Sequence, residues 1–250
     1  AAKSNWQTPF YMIVGLSMLM LVLILLGLKP VRAHLDKKTD HSAFHHLLAT
    51  IKNRNYRIGF MATAFMSLGG YFMMPWGSAF AVNNVGISQK ELPLLFMIVG
   101  VSTFMIMPII GWMADKFNKF RLFLWASMIM IGSVLVYVRL GESSLFILVL
   151  VNIFMMGGIM ARMVPSQALT SSVPELHDRG AFMSINSSLQ QIAGGIAAII
   201  GGKIVWQASP SAPLMNFDIL GYVVVTVIII NIYLTRRVYQ YVASKNKEVA

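Results

Sequence analysis

Residues 92–139 read LPLLFMIVGVSTFMIMPIIGWMADKFNKFRLFLWASMIMIGSVLVYVR. An apolar run ends at Ala114, a turn carries Asp115, Lys116, Lys119 and Arg121, and a second apolar run starts at Leu122. A helix that crosses a bilayer needs roughly 20 mostly apolar residues, and both runs are close to or above that length. The apolar residues come in blocks and do not alternate with polar ones, which is a helical pattern rather than that of a membrane strand. This stretch predicts a helical hairpin through a membrane, with its turn at the bilayer surface.

Five more stretches of the same kind lie near 8–28, 57–82, 144–166, 181–205 and 217–235. Seven spans in 250 residues leave room for little else. Composition agrees: 57% of residues are hydrophobic and 12% charged, about half the charge of a soluble domain, which excludes a soluble monomer. The first span is too long for a signal peptide and lacks a cleavage pattern. The absence of cysteine removes disulfides, thiolate zinc sites and cysteine nucleophiles. The expected class is all-α and transmembrane.

The net charge of +11 reports orientation. With seven spans, 16 of the 20 Lys and Arg fall on one side, in the 29–57 loop, the 115–121 turn, the 162–180 region and the C-terminus. The other side holds Lys3, Lys90, Arg139 and Lys203. The first side is therefore expected in the cytoplasm, C-terminus included, and the charge calls for no nucleic-acid partner. Between Lys29 and Tyr56 a surface-lying helix is expected, capped by Asp40 or Ser42, with Ala43, Phe44, Leu47, Leu48 and Ile51 on one face. His41 and His45 stand four apart, but no carboxylate or cysteine completes a metal site.

Every acidic residue and every histidine lies at a span end or in a loop. An intramembrane hydrolase needs a serine–histidine pair or paired acids within the bilayer, and no such pair is visible. The last span has no lysine for a retinal Schiff base. Nothing points to an enzyme or a cofactor. What the spans do contain is amide: Asn152, Asn186, Gln190, Gln191 and Asn231. Each is costly to bury alone, so they either tie helices together or line a cavity. Two spans carry similar interruptions, Gly69-Gly70 with Pro75 beyond, and Gly157-Gly158 with Pro165 beyond. Interrupted helices at corresponding positions point to a transporter's binding site. Met66, Tyr71, Trp76 and Met156 stand around these breaks, and flexible methionines with aromatics suit an amphiphilic ligand.

The turn Gly111-Trp112-Met113-Ala114-Asp115-Lys116-Phe117-Asn118-Lys119-Phe120-Arg121 resembles a loop of the major facilitator superfamily, G-x-x-x-D-R/K-x-G-x-R/K-R/K. Gly111, Asp115, Lys116 and Arg121 match; Asn118 replaces the second glycine, a change that a left-handed Asn would tolerate. Asn5-Trp6-Gln7-Thr8-Pro9-Phe10 resembles the W-R-x-P-F entry to the family's sixth helix. Residues 179–191 resemble the approach to its eleventh helix in drug:proton antiporter-like members.

The resemblance implies that residues 1–28 are the last helix of an N-terminal half and 29–56 the central linker. Residues 57–250 would then be the C-terminal six-helix bundle, built of inverted three-helix repeats. It implies a missing N-terminal half, which would hold any proton-coupling carboxylate. It also implies secondary transport in a prokaryotic inner membrane, with export of small amphiphilic molecules as the first reading. A sugar or other polar metabolite is the alternative substrate, and a non-transporting receptor or assembly protein is the rival class. The expected cytoplasmic gate joins Asp115 to Arg162, with Arg121, Glu175 and Arg179 nearby, and the expected cavity uses the amides, methionines and aromatics named above.

Overall fold

The computed structural model describes residues 7–27 and 43–249. Asn5, Trp6, His41 and the capping residues Asp40 and Ser42 lie outside them, as do the side chains of Ala43, Phe44 and His45. The chain forms two units, residues 1–42 and 43–250. In the first, helix α1 (Thr8–Gly27) has every described side chain from Phe10 onward exposed, so it needs lipid or protein around it.

The second unit is a bundle of α2 (Ala43–Lys52), α3 (Arg54–Tyr71), a 3₁₀ turn at Met74–Trp76, α4 (Gly77–Asn83), α5 (Leu92–Lys116), α6 (Lys119–Tyr137), α7 (Leu145–Thr170), α8 (Arg179–Ile204) and α9 (Phe217–Val249). With α1, six stretches among the described residues are long and apolar enough to cross a membrane, the α3–α4 stretch counting as one. The expected seventh span, α8, is 26 residues long but carries too much Ser, Gln and Gly to reach the same hydropathy. Ser184, Ser187, Ser188 and Gln191 share its exposed face.

The packing is exchanged between two three-helix repeats. Helix α3 of the first repeat packs on α8 and α9 of the second, and α7 of the second packs on α5 and α6 of the first. The result is a front row α8–α3–α7–α5 and a back row α9–α6, with α6 against α9. Two apolar clusters fill the bundle. At the end bearing Arg54, Lys116, Arg179 and Arg236, called the basic end here, Phe182 stacks on Phe60 at 4.7 Å and meets Tyr56 edge-on at 5.5 Å. At the other end Phe80 stacks on Phe217 at 4.2 Å and lies 4.9 Å from Tyr137. There the α8–α9 loop is pinned by Asn84, whose amide donates to Leu214 O and whose carbonyl accepts from Leu214 N.

Local chemistry sets the helix ends. The Asn118 side chain accepts from the N–H groups of Phe120 and Arg121 and caps α6. Its φ is −59°, so the left-handed conformation expected of it is not used; capping is what Asn supplies at this position. Asn53 caps α3 in the same way. Helix α3 ends at Tyr71, four residues before Pro75, where a proline ring clashes with the preceding turn's carbonyl.

Candidate functional site

Of the two expected helix breaks, one forms. The first repeat opens between Tyr71 and Met74, just after Gly69-Gly70, and resumes as α4. Helix α7 runs unbroken through Gly157, Gly158 and Pro165, which corrects the expectation of a matching break. The reason lies in its neighbours. A Cβ on Gly158 would stand 3.3 Å from Met130 Cβ and 3.4 Å from Met130 Cα, so this glycine lets α6 and α7 touch backbone to backbone. Neighbouring helices then hold α7 straight across Pro165, which is itself buried.

The break seats two rings on α8. The Tyr71 ring lies 3.2 Å from where a Cβ would sit on Gly194, and Trp76 Nε1 lies 3.3 Å from that of Gly201. Among the described residues, the buried Trp76 Nε1 has no acceptor. Met66 and Met156 are half-buried on α3 and α7. The amides divide. Asn152 donates back to Leu148 O on its own helix. Asn186 is 3% exposed and turned inward, and its Oδ1 has no partner among the described residues. Gln190 is half-buried and Gln191 exposed.

Around α8 the side chains fall into three sectors. Phe182, Asn186, Ala193, Ala197 and Gly201 are buried on the bundle side. Ile192, Ile196 and Ile199 are exposed on one flank. Ser184, Ser187, Ser188, Gln191, Gly195, Ala198 and Gly202 are exposed in a stripe opposite the buried face. The three serine hydroxyls donate to Gly180 O, Met183 O and Ser184 O, one turn back. Their protons are therefore spent inside the helix, and the stripe presents oxygen lone pairs outward. Ser184, Ser187, Ser188 and Gln191 follow an i, i+3, i+4, i+7 spacing, which is the signal in the sequence that marks this stripe.

The expected gate residues occupy three separate places. Asp115 and Arg121 are exposed at the α5–α6 turn, Gly111 is half-buried in α5, and Lys116 stands over the Trp112 ring at 4.4 Å. Arg162 is 2% exposed inside the bundle. It makes no ion pair with Asp115, which corrects the expected pairing. Its Nε donates to Ser127 Oγ (3.0 Å), one Nη donates to Asn231 Oδ1 (3.0 Å), and the guanidinium faces Phe123 at 5.4 Å. Asn231 in turn donates to Ala62 O at 2.8 Å, so a hydrogen-bonded chain crosses α6, α7, α9 and α3. A buried guanidinium satisfied by neutral dipoles and a ring has no need of the exposed Asp115 carboxylate.

The third place is the α7–α8 loop. Arg179 is exposed, while Asp178 accepts from Tyr56 Oη (2.7 Å) and bonds His46 Nε2 (2.8 Å), with His177 Nε2 at 3.4 Å. The Glu175 N–H donates to Tyr56 Oη, and its carboxylate lies 3.8 Å from His177. Burial acts to raise the Asp178 carboxyl, but the bonds from Tyr56 and His46 and the nearby histidines outweigh it and hold it below the usual carboxylate range. This joins α2 and α3 to the start of α8. Sequence reading missed His46, Tyr56 and Asp178 because their separation in the chain, 122 residues for the Tyr56 bond, leaves no local pattern. Among the described residues no group of three or more His, Asp or Glu side chains is placed to hold a metal ion.

Residues 1–236 match the sequence profile of the Major Facilitator Superfamily. No curated protein matches the chain. Among solved structures, the E. coli fucose:proton symporter FucP is similar in fold at 16% identity and a TM-score of 0.65, covering 92% of this chain and 55% of that one. A second FucP structure, described as a facilitator transporter in the outward conformation, gives 17% identity and a TM-score of 0.64 over 92% and 54%. The chain thus spans about half the length of the structures it matches. An all-helical bundle of exchanged three-helix repeats, matched by that profile over nearly all its length, belongs to the Major Facilitator Superfamily.

Proposed function

We propose that this chain is the C-terminal part of a secondary transporter that moves an uncharged small molecule by alternating access. The basic end faces the cytoplasm of a prokaryotic cell, by the bias of Lys and Arg. The observation that carries the reading is the exposed Ser/Gln/Gly stripe of α8. Hydrocarbon would strand its oxygens, whereas a water-filled path between two halves of a transporter satisfies them. The break in α3, with Tyr71 and Trp76 resting on α8 glycines, gives that path a flexible wall.

The first substrate class is a neutral amphiphile, exported in exchange for protons. Donor groups on it would meet the serine oxygens and Gln191, and its apolar part would meet Met66, Met156 and Tyr71. No acid lies mid-span in this sequence, so a proton-carrying carboxylate would come from an N-terminal half. The second class, a polar metabolite such as a sugar, is favoured by the lone-pair stripe. The test is accumulation of labelled sugars and of hydrophobic dyes by cells expressing the full-length gene, with and without a proton ionophore. Ionophore-sensitive exclusion of the dyes supports export; unchanged dye levels with ionophore-sensitive sugar uptake support the second class; no change in either refutes transport of both.

A further inference from the structure

We infer that the basic end carries a binding surface for anionic phospholipid headgroups, formed by the α5–α6 turn and the adjoining stretch of α9. Two contacts bring these segments together. Asn118 Nδ2 donates to Tyr239 Oη at 2.7 Å, and the Phe120 ring stacks on Tyr239 at 5.7 Å. Around them stand Lys116, Lys119, Arg121, Arg236 and Arg237, all exposed. None makes an ion pair among the described residues, and the acid of the turn, Asp115, pairs with none of them.

Depth is marked by a pattern that repeats on three helices. Trp112 and Lys116 stand four apart on α5, Arg121 and Trp125 on α6, and Tyr233 and Arg237 on α9. In each pair the base lies toward the helix end and the aromatic one turn deeper into the apolar stretch. The rings are exposed, at 54% for Trp112, 70% for Trp125 and 61% for Tyr233. Residues four apart share one helix face, so each helix presents a cation above a ring. Lys116 already rests on its ring, at 4.4 Å. A lipid phosphate sits above the glycerol and acyl region in the same order, with interfacial aromatics below and cations beside the phosphate. A soluble polyanion would match the bases but leave the outward rings uncovered. The surface is separate from the α8 stripe and does not depend on the transport reading.

The full-length protein, purified in detergent, would be incubated with phosphatidylglycerol and phosphatidylcholine in equal amounts, and retained lipids counted by native mass spectrometry. Each base near an anionic surface strengthens attachment about fivefold, so phosphatidylglycerol should be retained more than tenfold over phosphatidylcholine. The preference should fade between about 0.05 and about 0.5 M salt, as the Debye length shortens. K116Q/K119Q/R121Q/R236Q/R237Q should abolish it. Lys90→Gln with Lys203→Gln, at the opposite end, should leave it intact. Glycerol phosphate without acyl chains should not compete. Equal retention of the two lipids, a preference insensitive to salt, or full competition by glycerol phosphate would each overturn the proposal. If the fivefold variant fails to fold, Trp125→Ala with Tyr233→Ala serves: retention undiminished in it counts against the surface, and weakened retention supports it.

Discussion

Helices α3 and α7 hold equivalent places in their repeats and share a Gly-Gly pair with a proline beyond, yet only α3 breaks. The difference lies in what each glycine and each proline touches. Gly158 meets the Met130 backbone, and Arg162, one turn before Pro165, is bonded on α6 and on α9. Gly70 meets nothing within 4 Å, and the chain after Tyr71 has a 3₁₀ turn and a fresh helix start at Gly77 to absorb Pro75. A sequence pattern for a break is thus permission, and tertiary anchoring decides whether it is used.

The largest effect should come from removing the anchor of α7. Asn231→Leu leaves the Arg162 guanidinium buried and half-bonded, and should cost about 3 kcal/mol in thermal unfolding of the purified protein. Arg162→Met should cost less, about 1–2 kcal/mol, because it leaves only neutral dipoles unpaired. The double variant should cost less than the sum; additivity would show that the two side chains do not act as a unit. Next, Gly158→Leu should destabilise by about 2 kcal/mol or more by forcing α6 and α7 apart, whereas Gly70→Leu should stay within about 1 kcal/mol of the parent. Equal losses at the two glycines would erase the contrast drawn above.

A smaller effect is expected where α3 begins. Tyr56→Phe removes a bond to Asp178 and should cost about 1 kcal/mol at neutral pH. The Asp178 carboxyl is held below its usual range, so its stabilisation is complete above the ordinary carboxylate value near pH 4 and is lost as pH falls through the lowered one. Melting temperatures measured down that range should drop in the parent and flatten in Asp178→Asn. The smallest stability change belongs to Pro75→Ala, within about 1 kcal/mol. If the α3 break is a moving wall, the same change should slow transport several-fold, while Pro165→Ala should leave the rate near the parent's.

Most of the fold was legible because hydropathy, span length and the Lys and Arg bias are local properties. The long helices, α8 included, could be read from runs such as 92–116 and 181–205, and the family from the 111–121 turn together with residues 5–10 and 179–191. The sites were legible only in part. Arg162 was expected in the cytoplasmic gate, but its partners Ser127 and Asn231 lie 35 and 69 residues away and carry no mutual spacing. The expected carboxylate partner was wrong because dipoles and an aromatic face already satisfy the guanidinium. The Asn186 amide looked like part of a cavity, and the face it occupies turned out to be the buried one. Neighbouring helices alone determine which face that is.

The exchange of packing between repeats bears on the order in which the chain can be made. Helix α3 leaves the ribosome before the groups that cover it, α8 and α9, and the bond from Asn231 to Ala62 O spans 169 residues. Until then the first repeat waits in the membrane with its inner surfaces uncovered, open to quality control and to wrong partners. A nascent chain halted before α9 would lack the residue that closes the Arg162 chain. Completion of the last helix is therefore the event that commits the whole bundle to its final form.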